Sequence, residues 1–198
     1  MPLEVELKSV VDDVDGARRH VEAVGACATF AGRLEDRRYD TADGRLAAGG
    51  QMLRLRVYHD ATGSQASLEW KGPARDESGY KVRDEITANT SSAAELATIL
   101  ERLGYGVIGE VDREITQYVL GAATIRFERY PRMDSLVEVE GPPPAIEQAI
   151  AALGLARDGF TAERLATFIA RFEQRTGSRA AINARQLAGD EIDEARDG

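Results

Sequence analysis

Glu4, Glu6 and Lys8 stand at a spacing of two near the start of the chain, with Leu3, Val5 and Leu7 between them. Successive side chains of a strand point to opposite faces, so this spacing puts the ionised groups on one side and the apolar ones on the other. The same grammar recurs in Leu53-Arg54-Leu55-Arg56-Val57, Leu68-Glu69-Trp70-Lys71, Tyr80-Lys81-Val82-Arg83-Asp84-Glu85-Ile86 and Leu136-Val137-Glu138-Val139-Glu140. The charged faces so defined carry Lys8, Arg54, Arg56, Lys71, Lys81, Arg83, Arg113 and Arg126 against Glu4, Glu6, Glu69, Glu85, Glu128, Glu138 and Glu140. Carboxylates are hard oxygen ligands, guanidinium groups offer a planar fork to phosphate oxygens, and lysine supplies a compact charge. Together these residue types are equipped to hold a polyphosphate with its metal ion.

The rest of the composition narrows the chemistry. Cys27 is the only cysteine, and His20 and His59 the only histidines, so neither an intramolecular disulfide nor a thiolate or histidine zinc centre is available. A metal here is held by oxygen, which favours Mg²⁺ or Mn²⁺. With 43% hydrophobic and 30% charged residues among 198, the chain suits a soluble globular protein. No run approaches the roughly 18 apolar residues of a membrane span, and the start has no signal-like segment, so the expected location is the cytoplasm. The net charge of −9 argues against a nucleic-acid polymer as partner, while leaving room for a local basic pocket. Cys27 is expected to be a small buried residue, the histidines exposed, and Trp70 a core residue on the outer face of its strand.

Helices and strands must position these groups. Val14, Ala17, Val21 and Val24 fall at helical spacing before Gly25, and Ser92 to Glu95 reads as a capping box ahead of Leu96, Ile99, Leu100 and Leu103. Further helices are expected over 145–153 and from Thr161 through Phe172. Strands are expected over 3–11, 37–41, 52–59, 65–72, 79–88, 107–119, 122–130 and 134–141. This order predicts an α+β fold with an antiparallel sheet, as one domain over 1–177. After Gly177 the apolar periodicity fades, and 178–198 is expected to be a mobile or loosely helical tail.

So many strands with one apolar face need helices outside, which turns the charged faces towards one another. A sheet curled that way closes into a barrel with a polar lumen and no free edges. Paired glutamates and clustered guanidiniums each repel their own kind, and a divalent cation with a polyphosphate relieves both.

Read in order, Glu4-x-Glu6-x-Lys8, Tyr39-Asp40-Thr41, Leu53-Arg54-Leu55-Arg56, Trp70-Lys71-Gly72-Pro73, Val82-Arg83-Asp84-Glu85-Ile86, Leu103-Gly104-Tyr105 and Val137-Glu138-Val139-Glu140-Gly141 resemble the landmarks of the CYTH superfamily. These are the triphosphate tunnel metalloenzymes, which include class IV adenylate cyclases, thiamine triphosphatases and inorganic tripolyphosphatases. The resemblance implies an eight-stranded antiparallel β-barrel with helices packed outside, holding a triphosphate and Mg²⁺ or Mn²⁺ in its lumen. It assigns Glu4, Glu6, Glu85, Glu128, Glu138 and Glu140 to the metal side. Lys8, Arg54, Arg56, Lys71, Lys81, Arg83, Arg113 and Arg126 fall to the triphosphate, and Lys71, Tyr39 and Arg113 to the catalytic positions.

Two positions depart from the family pattern. Relatives commonly carry Lys-x-Arg where this chain has Arg113 and Ile115, and a guanidinium is a poor proton acceptor. Arg126, on the face of Glu128, could repair the lost charge without restoring the basicity. The implied function is hydrolysis of an organic or inorganic triphosphate, such as tripolyphosphate, ATP or thiamine triphosphate, by a monomer or homodimer. A class IV-type adenylate cyclase and a weakly catalytic or non-catalytic polyphosphate or nucleotide binder are the alternatives.

Overall fold

The computed structural model describes residues 3–189. Its strands are β1 (Leu3–Val10), β2 (Cys27–Thr41), β3 (Met52–Asp60), β4 (Gly63–Lys71), β5 (Arg75–Glu77), β6 (Tyr80–Thr90), β7 (Tyr105–Leu120), β8 (Ala123–Arg129) and β9 (Leu136–Glu140). The helices are α1 (Val14–Ala23), α2 (Arg45–Ala48), α3 (Ala93–Arg102), α4 (Pro143–Leu153), α5 (Leu165–Thr176) and α6 (Ala184–Ala188). All pairings are antiparallel, in the order β1-β9-β8-β7-β2-β3-β4-β6. Leu3 to Glu6 of β1 then pair with Lys81 to Asp84 of β6, which closes an eight-stranded barrel, and short β5 is appended to β6.

The apolar core lies outside the barrel, between its wall and the helices. Leu7, Tyr118, Ile125, Phe127, Val137 and Val139 project outward and are covered by Val21 of α1 and by Ile146, Ile150 and Leu153 of α4. Leu53, Leu55 and Leu68 on the neighbouring arc are covered by Leu96 and Leu100 of α3. Asp13 accepts from Gly16 N at 2.8 Å and Ser92 from Glu95 N at 3.2 Å, so two helices begin at the expected caps. At one end of the barrel, Phe168 of α5 and Ile182 pack on Tyr130 and Leu136, with Val111 alongside.

β2 is the main departure from the expected strands, since it begins at Cys27 and not at residue 37. Its outer face is not apolar: Arg33, Glu35 and Arg37 face outward in ion pairs with one another and with Glu110 and Asp112 of β7. With both faces charged, the alternation that marks a half-buried strand vanishes. The stretch expected to be a mobile or loosely helical tail begins at residue 178, and its described part holds α6 and makes specific contacts. Ala181 pairs with Arg132, Asp112 N donates to Ile182 O at 2.8 Å, and Asn183 is buried with its amide donating to Glu110 O at 3.0 Å. These residues satisfy the edge of β7 beyond the reach of β8; residues 190–198 lie outside the described part. Cys27, expected to be buried, is exposed at the start of β2, while Trp70 is half-buried with Nε1 donating to Gln51 at 3.0 Å.

Candidate active site in the barrel lumen

Because side chains directly opposed across a sheet share a face, the register fixes which residues look inward. Glu6 stands across from Glu140 and Lys8 from Glu138; Arg126 across from Glu138; Ile115 across from Glu128; Asp36 across from Arg56. Glu4 faces Arg83, Glu6 faces Lys81, and Lys71 faces Glu85 at the closing strands. The lumen thus gathers the acids and bases that period two placed on the charged faces. Of these Glu4, Glu6, Arg56, Glu69, Lys71, Arg83, Arg113, Arg126, Glu128 and Glu138 are buried, and so is Asp36, which joins them from β2.

These groups form a chain of alternating charge that visits every strand of the barrel. From Glu69 on β4 it passes through Arg54 and Arg56 on β3 to Asp36 on β2. Arg113 on β7 bridges Asp36 and Glu128, at 2.9 Å from each. Arg126 joins Glu128 at 3.1 Å and also contacts Glu138, which holds Lys8. Lys8 lies 3.0 Å from Glu6, and Lys81 ends the chain on Glu6. A second bridge has Lys71 between Glu4 and, at 3.3 Å, Glu85.

The charge is uneven around the barrel wall. Arginines dominate the arc of β2, β3 and β7, while Glu4, Glu6, Glu138 and Glu140 crowd β1 and β9. Burial alone would lower the affinity of Lys8 for its proton, but Glu138 and Glu6 outweigh it and raise it; Glu128 and Asp36 do the same for Arg113. Burial, then Glu138 and other nearby carboxylates, pushes Glu140 up to about 7, because no cationic side chain touches it among the described residues. Oε2 of buried Glu4 likewise has no hydrogen-bond partner. Arg83 is the converse case, for burial lowers its proton affinity and its guanidinium reaches the Gly72 carbonyl, at 2.6 and 3.0 Å, instead of a carboxylate.

Oxygen donors deficient in positive charge fit a divalent cation. Among the described residues no three acidic, histidine or cysteine side chains already converge in a metal-holding arrangement, since most of the acids are turned to lysine or arginine. The donor chemistry therefore fits, and binding would require the acids to exchange partners.

Tyr39 does not reach the site. It faces away from the lumen and is buried beside Leu55 and Leu100 under α3, because unbroken alternation along β2 from inward-facing Asp36 and Arg38 leaves Tyr39 opposite outward-facing Leu53. The lumen position belongs to Arg38, for which Gly109 across the sheet makes room: a Cβ there would come within 2.8 Å of Arg38 Nη2. Arg113 and Ile115 both face inward as expected, with Ile115 only 3% exposed. The residue that sequence reasoning missed is Asp36, one position before the expected strand, hidden in the run Glu35-Asp36-Arg37-Arg38. Continuing the period backward from the lumen position 38 would have found it. Tyr130 was missed too; its hydroxyl donates to Glu128 at 2.6 Å and its ring lies 5.9 Å from the Arg113 guanidinium.

The CYTH domain model matches residues 2–145 of the chain. A candidate adenylate cyclase from Vibrio parahaemolyticus is similar in structure, with a TM-score of 0.72 at 20% identity over 85% of this chain and 98% of that one. A protein of Pyrococcus horikoshii OT3 gives 0.70 at 22% identity, over 85% and 98%. A candidate adenylyl cyclase from Hippeastrum with a dominant triphosphatase activity gives 0.59 at 16% identity, over 99% and 100%. No curated protein matches. Among the described residues no helix is long and apolar enough to cross a membrane.

Proposed function

Since the chain belongs to the CYTH domain family, we propose that it is a divalent-metal-dependent enzyme that hydrolyses a triphosphate within the barrel. The observation that carries this reading is the convergence of Arg54, Arg56 and Arg113 on a single carboxylate, in one lumen with the clustered glutamates of β1 and β9, where Glu140 and Glu4 Oε2 are left short of partners. Guanidiniums gathered in this way bind phosphate oxygens, and such a glutamate wall binds a cation. The Hippeastrum relative's dominant triphosphatase activity is in keeping with it.

In the reaction, Arg54, Arg56, Arg113 and Arg126 neutralise charge on the phosphate chain, with Lys8, Lys81 and Arg83 at its flanks. Phosphoryl transfer depends mainly on such neutralisation and on alignment of the nucleophile. Glu4, Glu6, Glu138 and Glu140 would hold Mg²⁺ or Mn²⁺, with Glu85 and Glu128 beside them. The ion, when bound, supplies Lewis-acid polarisation of phosphate oxygens and lowers the pKa of water. Arg113 and Lys8 take no proton, because the carboxylates around them hold them charged. Lys71 is engaged as a donor to Glu4 and Glu85, so its part is also neutralisation.

The test is a panel of tripolyphosphate, ATP and thiamine triphosphate with Mg²⁺ or Mn²⁺, the products being separated into phosphate, pyrophosphate and cyclic nucleotide. Metal-dependent release of phosphate is expected, with a thermal shift on ligand binding of about 2.7 kcal/mol at a hundredfold excess over Kd. Pyrophosphate with cyclic nucleotide would identify a cyclase instead. No product and no thermal shift with any of the three would overturn the reading.

A further inference from the structure

We propose that Asp36 is a positioning residue that assembles Arg54, Arg56 and Arg113 into one phosphate-binding surface, so that an acid sets the lumen's affinity for the triphosphate chain. This role rests on the triphosphate reading of the lumen. Asp36 stands on β2, with β3 on one side and β7 on the other, and it is only 3% exposed. Its Oδ1 accepts from Arg56 Nε at 2.7 Å. Its Oδ2 accepts from Arg56 Nη2 at 2.9 Å, from Arg113 Nη1 at 2.9 Å and from Arg54 Nη1 at 3.3 Å. One short carboxylate therefore gathers guanidiniums from both neighbouring strands.

Three properties of this contact favour positioning over mere charge balance. The aspartate arm is too short to leave the wall, so it draws the long arginine side chains back to a fixed level. From Arg54 and Arg113 it takes one N–H each of the five that a guanidinium carries, which leaves donors for a ligand approaching along the axis. Glu69 holds another edge of Arg54, and Glu128 another edge of Arg113, so each is fixed from two sides. Without Asp36, three buried like charges would spread apart along the tunnel. Burial opposes its ionisation, but Arg54, Arg56 and Arg113 outweigh burial and hold its carboxyl well below the usual range. The opposite role, an acid that competes with phosphate and must be displaced, predicts the reverse effect on affinity.

Calorimetry on the full chain separates them, using tripolyphosphate with Mn²⁺ and Mn²⁺ alone as ligands of wild type, Asp36→Asn and Asp36→Glu, with folding checked by circular dichroism. Positioning predicts that Asp36→Asn weakens tripolyphosphate binding by about tenfold or more while Mn²⁺ binding is unchanged. Asp36→Glu keeps the charge but moves it from the wall, and is expected to weaken tripolyphosphate binding less. A folded Asp36→Asn that binds tripolyphosphate as well as wild type, or better, overturns the positioning role. So does an equal loss of affinity for both ligands, the mark of general loosening. Should Asp36→Asn fail to fold, Asp36→Glu decides, and unchanged affinity in that variant overturns it. Wild type that binds no tripolyphosphate at all sinks the underlying reading, a result distinct from variants matching a binding wild type.

Discussion

The ammonium of Lys71 on β4 reaches the carboxylate of Glu4 on β1, passing over the intervening strand β6, and it lies 3.3 Å from Glu85 on β6 itself. One lysine thus ties three strands at the point where the barrel closes. Replacing Lys71 by Met leaves two acids without their cation. Breaking a buried pair in this way costs about 3–5 kcal/mol, and a divalent ion can restore the missing charge. Lys71→Met should therefore lower thermal stability without metal and show a larger Mn²⁺-induced rise than wild type. A smaller or equal rise in a thermal-shift titration would argue that Glu4 and Glu85 do not meet the ion.

Tyr39 packs under α3, on the outer face of the wall. Tyr39→Phe should leave turnover unchanged, whereas Tyr39→Ala should cost about 3–5 kcal/mol of stability through the cavity it opens. A large loss of rate in Tyr39→Phe with stability intact would put the hydroxyl back into the chemistry.

Ile115 lies across from Glu128, whose Oε1 is already shared by Arg113 at 2.9 Å and Arg126 at 3.1 Å. An arginine at 115 would enter a filled site beside two like charges. Ile115→Arg alone should destabilise the protein by about 1–3 kcal/mol, and less when combined with Arg126→Ser, which vacates the position. Urea denaturation of the four proteins measures the coupling. Equal costs in both backgrounds would mean that Arg126 does not occupy the space that an arginine at 115 needs.

Asp36 and Glu69 set the response to acid. Burial raises the pKa of each, but Arg54 and Arg56, joined at Asp36 by Arg113, outweigh it and leave both carboxyls below their ordinary values. A depressed carboxylate pKa contributes stability that is complete above the unfolded value, 3.8 for Asp and 4.5 for Glu, and is lost as pH falls through the lower folded value. Unfolding free energy should therefore fall steeply below about pH 4.5, and Asp36→Asn should flatten that slope while being less stable at neutral pH. Denaturant titrations at several pH values test it, and an unchanged slope in the variant would contradict the assignment.

Much of this protein follows from local sequence because period two is a property of the strand itself. Glu4, Glu6 and Lys8, Arg54 and Arg56, and Glu138 and Glu140 could be assigned to common faces without knowing what those faces meet, and the apolar stripes of α1, α3 and α4 could be matched to the opposite side. The ordered motifs supplied the family and with it the closed barrel. Where a strand is charged on both faces, as from Arg33 to Arg38, the alternation carries no signal, and Asp36 with the first half of β2 went unseen. The phase of that strand was equally silent, and only the register with β3 decided that Arg38, opposite Arg54, faces the lumen and Tyr39, opposite Leu53, the core. Pairing partners are also non-local: that Asp36 meets Arg113, 77 residues away, and that Asn183 closes the edge of β7, depends on register and closure. Alternation selects a face for each side chain, but only the closed sheet decides which charges share the buried space and so compensate one another.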